Sequence, residues 1–214
     1  MKPLPALVFF DFDGTLTKHD SLVPFLWSVC GPLRLIRGVI ESLPSLLGYA
    51  LKVVSNDRAK ECLLYHTLKG RTVQELSADG QHFAASRIPG MLRADTMGRL
   101  NQHIAAGDVC VLLSASLDMY LRPWALEAGF CDVLCSRLEI DATGKATGRL
   151  EGKNCYGEEK VRRARKYISK TKYINRNIIC YGDTAGDYPI LEFSSEGYYC
   201  ADNIISTYKN KKNI

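Results

Sequence analysis

Five short apolar segments rich in β-branched or aromatic residues recur along the chain. They are ALVFF (6–10), VCVLLS (109–114), DVLCSRLEI (132–140), NIICYG (177–182) and GYYCAD (197–202). Most of them lack the strict alternation of apolar and polar residues that is typical of a strand with one solvated face. Continuous apolar runs of this length are typical of strands buried on both faces, as in a parallel sheet.

Helix-like segments separate these predicted strands. Residues 117–128 and 157–170 have apolar residues at helical spacing, so strands and helices alternate along the chain. This alternation predicts an α/β fold, with a parallel sheet flanked by helices on both sides. The turn-rich segment 141–152 predicts a hairpin that leaves the main sheet.

Residues 18–106 interrupt the alternation. They contain no convincing strand, and glycines and prolines divide their apolar residues into several helices. A crossover of this length far exceeds the usual connection between parallel strands. We therefore predict a helical insertion over the end of the first strand, with residues 1–17 and 107–214 forming the core domain and 18–106 a cap.

The first part of this insertion, residues 21–54, is unusually apolar. Arg34, Arg37, Glu41 and two prolines interrupt it, so it lacks the roughly 18 to 20 uninterrupted apolar residues of a spanning helix. We expect a helical cap with an apolar inner lining. The alternatives are a site for a hydrophobic substrate and a surface for peripheral membrane contact.

Composition and charge narrow the class of protein. The chain has 214 residues, 46% of them hydrophobic and 24% charged, which is typical of a soluble globular protein. The net charge of +5 comes largely from residues 160–172 and the tail 209–212, and we interpret these as solvated surface. A nucleic-acid-binding surface would have interleaved aromatic residues, so no nucleic-acid partner is expected.

The cysteine and histidine residues predict no separate metal site. The eight cysteines are scattered without a CxxC pair, which favours reduced thiols in a cytoplasmic protein. The apolar stretch at the N-terminus is too short for a signal peptide and runs directly into two aspartates. The four histidines, His19, His66, His82 and His103, have no convergent spacing.

Two carboxylates follow the first predicted strand. Successive strand residues point to opposite faces, so Asp11 and Asp13 share a face and Phe12 points the other way. Two like charges this close raise each other's pKa unless a cation lies between them. The sequence therefore predicts a metal ion or a shared proton at this strand end.

Other polar side chains are predicted at the same edge of the sheet, where ligands bind in open α/β folds. Ser114 and Ser116 follow the second strand, and Asp183 and Asp187 follow a later one. Lys160 begins a helix. We expect these carboxylates, hydroxyls and one lysine to converge.

The order of these motifs resembles the haloacid dehalogenase superfamily of aspartate-nucleophile phosphohydrolases. The motifs are DFDGT (11–15), the strand-end serine, the lysine before a helix, and GDTAGD (182–187). NDRAKECLL (56–64) and GEEKVRR (157–163) resemble the phosphoserine-phosphatase-like branch, subfamily IB. The resemblance spans residues 5–202 and implies a Rossmann-like core with an all-helical C1-type cap inserted after strand 1.

The resemblance also implies roles for the motif residues. Asp11 would be the nucleophile that forms an aspartyl-phosphate, and Asp13 the general acid and base. Ser114 would hold a phosphoryl oxygen together with Ala115 and the Gly14 and Thr15 turn. Lys160 would offset the negative charge, and Lys153 is the alternative lysine.

We expect Mg²⁺ as the cofactor, because it prefers hard oxygen ligands. The predicted ligands are Asp11, Asp183 and Asp13, the last through its backbone carbonyl. Asp187 is either a fourth ligand or an acceptor that orients the others. Crowding by Asp11 and Asp187 is expected to raise the pKa of Asp13, and a metal ion would oppose this.

The predicted activity is hydrolysis of a phosphomonoester on a small phosphorylated metabolite such as a phosphoserine-like compound. Asp20 and Arg58 are the candidate substrate contacts from the cap. The alternatives are a phosphatase of lipid phosphates of the phosphatidylglycerophosphate type, a phosphotransferase or mutase with the same nucleophile, and a phospho-acceptor module without turnover. Asp13 argues against the phospho-acceptor module, because it can deprotonate the water that hydrolyses the acyl-phosphate. The sequence leaves the oligomeric state open.

Overall fold

A computed structural model describes residues 4–171, 173–201 and 204–208 of the protein. Its strands are Leu7–Phe10 (β1), Val109–Leu117 (β2), Asp132–Ser136 (β3), Leu138–Ile140 (β4), Ala146–Leu150 (β5), Ile178–Gly182 (β6), Glu196–Ala201 (β7) and Ile204–Thr207 (β8). Its α-helices are Leu22–Ala50 (α1), Asn56–Leu68 (α2), Val73–Ser86 (α3), Ile88–Met91 (α4), Ala94–Ala106 (α5), Asp118–Glu127 (α6), Glu158–Lys170 (α7) and Tyr188–Phe193 (α8).

Within the described residues, six strands form the central sheet in the order β3-β2-β1-β6-β7-β8. All neighbouring pairs are parallel except β7 and β8, which are antiparallel. The predicted parallel α/β fold is confirmed. The edge strand β8 was not predicted, while Lys172, Asp202 and the tail 209–212 of the predicted segments lie outside the described residues.

The central strand β1 is buried on both faces, as its continuous apolar run predicts. Leu7 and Phe9 belong to one hydrophobic cluster, with residues of α7 and α8. Val8 and Phe10 belong to the cluster on the opposite face, which extends into the helices between β1 and β2. The period-2 alternation of a strand thus divides four consecutive apolar residues between two helical layers.

The predicted strand 132–140 is two strands. It breaks at Arg137: β3 joins the central sheet, and β4 pairs with β5 in a separate antiparallel hairpin. The hairpin itself lies where the turn-rich sequence predicts it. The side chain of Asp141 accepts hydrogen bonds from the backbone N–H groups of Thr143 and Lys145, which is the local chemistry of an Asx turn.

The two ends of the helical insertion lie side by side. Lys18 donates its backbone N–H to Met91 O, and Arg93 donates its N–H to Leu16 O, both at 2.8 Å. The following helix, α5, packs on the sheet, with Leu100 completely buried. The predicted boundary at 106 therefore includes one helix of the core, and we propose 18–92 as the insertion.

Helix α1 contains a sharp interruption. Gly31 has φ +74° and ψ 169°, and Pro32 follows it. A positive φ of this kind is strained for residues with a side chain and open to glycine. Leu22–Ala50 is long and apolar enough to cross a membrane by length and composition alone. Core helices of soluble proteins pass the same test, so this finding does not identify a membrane span.

Candidate active site

A cavity of about 310 Å³ lies between the carboxyl edge of the sheet and the helical insertion. The core side of its lining contains Asp11, Asp13, Ser114, Ala115, Ser116, Asn154, Tyr156, Lys160, Thr184 and Asp187. The insertion contributes Asp20, Leu22, Leu46, Tyr49, Asn56, Ala59, Lys60 and Leu63. The structure thus brings most of the predicted polar residues into one cavity.

Lys160 joins two of the predicted carboxylates. Its Nζ lies 2.7 Å from Asp11 Oδ1 and 2.5 Å from Asp187 Oδ1. Lys160 lies in the first turn of α7 and is buried. Lys153, the alternative in the sequence, is exposed and lies outside this cavity.

The electrostatics of this group follow from burial and from one shared cation. Burial raises the pKa of Asp11 well above its usual value, with Asp187 and Asp183 adding to the rise and Lys160 opposing it. Burial opposes the charge of Lys160, but Asp11 and Asp187 together raise its pKa, so it stays protonated. The pKa of Asp187 is lowered: burial alone would raise it, and Lys160 and the Thr184 hydrogen bonds prevail.

Asp183 follows β6 and is held by the first motif. Thr15 donates its hydroxyl to Asp183 Oδ1 at 3.0 Å. Gly14 has φ +76°, and a Cβ atom there would overlap the Asp183 carboxylate. Burial first, and the Asp187 charge second, raise the pKa of Asp183 to about 6.

Three carboxylates form a group that fits a hard divalent cation. Asp11, Asp183 and Asp187 each offer an oxygen, and these oxygens lie within 4.8 Å of one another. Asp187 Oδ2 accepts hydrogen bonds from the N–H groups of Asp183 and Thr184, and its Oδ1 accepts one from Lys160. Because both of its oxygens already have donors, Asp187 fits the orienting role better than the ligand role.

The side chain of Asp13 is outside this carboxylate group. Its Oδ1 accepts the backbone N–H of Ser21 at 2.7 Å, and its Oδ2 accepts a short hydrogen bond from the Ser116 hydroxyl. The pKa of Asp13 is raised to about 6 by burial first and by the Asp20 carboxylate second. The cause predicted from the sequence, crowding by Asp11 and Asp187, was wrong.

The end of β2 offers a hydroxyl and a backbone turn. Ser114 is buried, and its Oγ accepts the backbone N–H of Ser116 at 3.1 Å. Ser114 and Ala115 both line the cavity. Gly14 and Thr15 are not among the lining residues, and the Gly14 N–H donates to Thr17 Oγ1, so this N–H is not free for the predicted anion.

The cation that the insertion presents to the cavity is Lys60, which sequence reasoning missed in favour of Arg58. Arg58 is exposed and lines a separate hollow at the surface. Lys60 Nζ donates to Ala115 O at 2.5 Å and to Asn154 Oδ1 at 3.3 Å. Burial lowers the pKa of Lys60 to about 8, while Asp13 and Asp20 favour its charged form.

Helical periodicity was the signal that could have found Lys60. Asn56, Lys60 and Leu63 are spaced four and three residues apart, so they share one face of α2, and all of them line the cavity. Arg58 falls on another face. Asp20, the second predicted substrate contact, does line the cavity, and its Oδ1 accepts the backbone N–H of Leu22 at 2.9 Å.

Asn154 links the insertion to the core beside the cavity. Its side-chain amide donates a short hydrogen bond to Asn56 Oδ1, and its Oδ1 accepts the hydroxyl of Ser136 at 2.6 Å. Tyr49 of α1 and Tyr156 of the core both line the cavity. Burial raises the pKa of Tyr156 to about 12, and Tyr49 adds to the rise. None of the histidines lies among the described lining residues.

Comparison with known proteins extends to most of the chain. The sequence profile of haloacid dehalogenase-like hydrolases matches residues 8–192. The protein CicA of Caulobacter vibrioides is 35% identical over 195 residues, which cover 91% of this chain and 86% of CicA.

Two solved structures share the fold. A protein of unknown function from Bordetella pertussis Tohama I has a TM-score of 0.74 at 24% identity, covering 90% of this chain and 88% of that one. A substrate-bound phosphoserine phosphatase has a TM-score of 0.63 at 16% identity, covering 92% and 86%.

Proposed function

This chain belongs to the haloacid dehalogenase-like hydrolase family, and we propose that it is a Mg²⁺-dependent phosphomonoester hydrolase that forms an aspartyl-phosphate on Asp11. One observation carries the proposal. Asp11 shares Lys160 with Asp187 at one side of the cavity, and Asp13, with a pKa of about 6, lines the same cavity. A nucleophile and a separate acid–base group are the two parts this reaction needs.

In the first step, a carboxylate oxygen of Asp11 attacks phosphorus and the bond from phosphorus to the ester oxygen breaks. Asp13 donates its proton to the departing oxygen, so the leaving group departs as an alcohol. A pKa near 6 keeps a useful fraction of Asp13 protonated close to neutral pH. Ser114 and Lys160 would stabilise the phosphoryl oxygens and the charge on Asp11.

In the second step, Asp13, now a carboxylate, accepts a proton from water. The water oxygen attacks phosphorus, the bond between phosphorus and Asp11 breaks, and inorganic phosphate leaves. Asp11 and protonated Asp13 are restored, so the cycle closes. The Ser116 hydroxyl and the Ser21 N–H hold the Asp13 carboxylate in place for both proton transfers.

Asp11 and Asp183 are the proposed direct ligands of Mg²⁺, with the backbone carbonyl of Asp13, and Asp187 orients the site. The bound ion would offset the repulsion between an anionic nucleophile and an anionic substrate. The fit rests on the hard oxygen donors of the three-carboxylate group and on the raised pKa values of Asp11 and Asp183, which mark charge that needs a counter-ion.

The cavity supports a small phosphorylated substrate. Its volume of about 310 Å³ is at the low end for small-molecule sites. Asp20 and Lys60 are the charged groups that the insertion presents to it, and they would contact polar groups of the substrate. Because Arg58 lies outside the cavity, Lys60 is the cation of the insertion that would contact the carboxylate of a phosphoserine-like substrate.

A lipid phosphate is the second candidate substrate. Leu22, Leu46, Tyr49 and Leu63 form an apolar wall on the insertion side, and this wall suits an aliphatic leaving group. Comparing rates on phosphorylated amino acids, sugars and short-chain lipid phosphates would separate the two candidates. A rate on lipid phosphates more than about tenfold higher than on the other substrates would identify a lipid phosphate as the substrate class.

Trapping of the phosphoryl-enzyme tests the chemistry. During turnover of p-nitrophenyl phosphate with Mg²⁺, acid quenching and borohydride reduction should convert Asp11 to homoserine, which peptide mass spectrometry detects. Asp11→Asn should show neither the mark nor activity. Chelation by EDTA should abolish turnover, and Mg²⁺ but not Ca²⁺ should restore it. Full activity of Asp11→Asn would refute the assignment of Asp11 as the nucleophile.

We also propose a cytoplasmic location. All eight cysteines are free in the structure, and five of them are buried. Unpaired thiols persist in a reducing compartment.

Transfer of the phosphoryl group to an added alcohol, measured beside hydrolysis, would identify a phosphotransferase instead of a hydrolase.

A further inference from the structure

One face of α1 is apolar and exposed to solvent. Leu33, Ile36, Ile40, Leu43 and Leu47 recur at spacings of three and four residues, so they form one line along the helix, which we call the outer stripe. Their side chains are 84%, 53%, 59%, 44% and 61% exposed. Leu51 and Val53, in the turn after α1, continue the exposed apolar surface.

The opposite face of α1 is the one that packs on the protein. Leu35, Gly38 and Ser42 are buried there, and a Cβ atom at Gly38 would lie 2.9 Å from the Thr67 side chain of α2. A surface helix of a globular protein normally buries its large aliphatic residues and exposes polar ones. After the break at Gly31, α1 buries Leu35 together with the small residues Gly38, Ser42 and Gly48, whereas five large aliphatic residues face solvent. An exposed apolar line of this length is typical of a surface that binds a partner.

The charges around the outer stripe are mostly positive. Arg34, Arg37 and Lys69 line a hollow with Leu33 at one end, and Lys52 is exposed at the other end. The acid beside the stripe, Glu41, is bonded to Arg37 at 2.8 Å and to His66 at 2.6 Å. An apolar strip with cations at both ends complements a surface that is apolar inside and anionic outside.

We propose that the outer stripe lies on an anionic phospholipid bilayer, with α1 in the plane of the interface. Aliphatic side chains would enter the acyl boundary while the flanking Arg and Lys groups contact lipid phosphates. The packing of α1 on α2 and its break at Gly31 keep it from crossing.

A second copy of the chain fits this surface less well. Because cations stand at both ends of the outer stripe, either orientation of a second helix sets like charges against each other. Lipid headgroups neutralise the same cations. Leu46 and Tyr49, which line the cavity, lie in the same turns of α1 as Leu43 and Leu47 but on a different face of the helix.

Co-sedimentation with vesicles tests the proposal without any catalysis, so its failure is distinct from a failure of the proposed function. The whole protein should sediment with phosphatidylglycerol–phosphatidylcholine vesicles and remain in the supernatant with phosphatidylcholine alone. Ile40→Ser with Leu47→Ser should weaken binding at least about tenfold, because two aliphatic side chains no longer move from water into the bilayer.

The matched control is Leu126→Ser with Ile174→Ser, which removes two equally exposed aliphatic side chains away from α1. It should bind vesicles as the unmodified protein does. Both double variants should keep their hydrolysis of p-nitrophenyl phosphate and their melting temperature, which shows that they fold. Arg34→Gln with Arg37→Gln should weaken binding to anionic vesicles by roughly fivefold for each arginine.

Three outcomes would overturn the proposal. The unmodified protein could stay in the supernatant with anionic vesicles. The two serine double variants could bind equally well, which would make the outer stripe irrelevant. Sedimentation equilibrium without lipid could show a dimer that only Ile40→Ser with Leu47→Ser dissociates, which would make the stripe an interface between two copies.

Discussion

Lys160 Nζ lies 2.7 Å from Asp11 Oδ1, and the two side chains are only 3% and 11% exposed. The same ammonium also contacts Asp187. A single buried cation thus balances part of the charge of three neighbouring carboxylates, and the remainder is available to a divalent ion. Stability and metal binding should therefore be coupled at this site.

Lys160→Met should destabilise the protein and make Mg²⁺ more important for its fold. Removing one partner of a buried ion pair costs about 3–5 kcal/mol, because Asp11 and Asp187 are left unbalanced. Mg²⁺ should recover part of this loss, so the melting temperature of the variant should rise more with Mg²⁺ than that of the unmodified protein. Lys153→Met, at an exposed position, is the control. An equal Mg²⁺ effect in both variants would contradict the coupling.

Asp13→Asn should slow release of phosphate and trap the phosphoryl-enzyme. The nitrophenolate leaving group needs little protonation, so the first step with p-nitrophenyl phosphate should survive. The second step needs a base, and losing it should cost about 10²–10⁴-fold. Stopped-flow absorbance should therefore show a burst of one nitrophenolate per enzyme followed by a slow steady state. Linear release from the start would argue against the base role.

Stability in EDTA should fall as the pH rises from about 4 to about 6. Asp13 and Asp183 have a pKa of about 6 in the folded protein, above the ordinary value of 3.8. In this window the folded carboxyls keep protons that the unfolded chain has lost, so folding is favoured at the lower pH. Asp13 contributes up to about 3 kcal/mol, at about 1.4 kcal/mol per pH unit, and Asp183, which is more exposed to solvent, contributes less. Urea unfolding at pH 4.5 and 7 measures this.

The control for this pH dependence is Asp13→Asn combined with Asp183→Asn. It should reduce the fall in the free energy of unfolding between the two pH values by the share that Asp13 and Asp183 contribute, while Asp11, whose pKa is also raised by burial, accounts for a further share. Mg²⁺ should also reduce the fall, because a bound cation lowers the pKa of Asp183. A pH dependence unchanged in the double variant would assign it to other groups.

Lys60→Met should lower kcat/KM, whereas Arg58→Met should leave it within about twofold. Lys60 reaches the cavity and the Ala115 carbonyl, and Arg58 is exposed outside the cavity. Loss of a charged hydrogen bond at the site should cost about 1.5–3 kcal/mol, or roughly 10- to 100-fold. Steady-state kinetics on the best substrate measures both variants. The reverse ranking would restore Arg58 as the cap contact.

Gly14→Ala should impair metal binding as well as stability. Gly14 has φ +76°, which costs about 1–2 kcal/mol for a residue with a side chain, and its Cβ would overlap Asp183. Gly144→Ala is the matched control, because Gly144 has φ +78° and an open environment. Both variants should lose stability, but only Gly14→Ala should weaken Mg²⁺ binding in calorimetry. Equal Mg²⁺ affinity in the two variants would contradict the role of Gly14.

Local sequence patterns predicted much of the fold. The apolar run before Asp11 predicts a strand buried on both faces, and β1 contributes alternate residues to two clusters. The break at Arg137 was missed, because β4 leaves the sheet to pair with β5 and short-range propensity does not choose between two partners. The edge strand β8 was missed for the same reason.

The sequence by itself determined the strand ends at which the chemistry-bearing residues stand, because strand periodicity and the edge rule of parallel sheets are local or topological facts. It also determined that the acids after β1 and β6 would meet. Only the tertiary structure decided which lysine reaches these acids. Lys153 and Lys160 are seven residues apart in the sequence, and it is Lys160, in the first turn of α7, that contacts Asp11. Packing of α2 over the cavity likewise selected Lys60 and turned Arg58 away, because the contact depends on the rotation of a helix about its own axis. That rotation is set by long-range burial, and no short segment of sequence contains it.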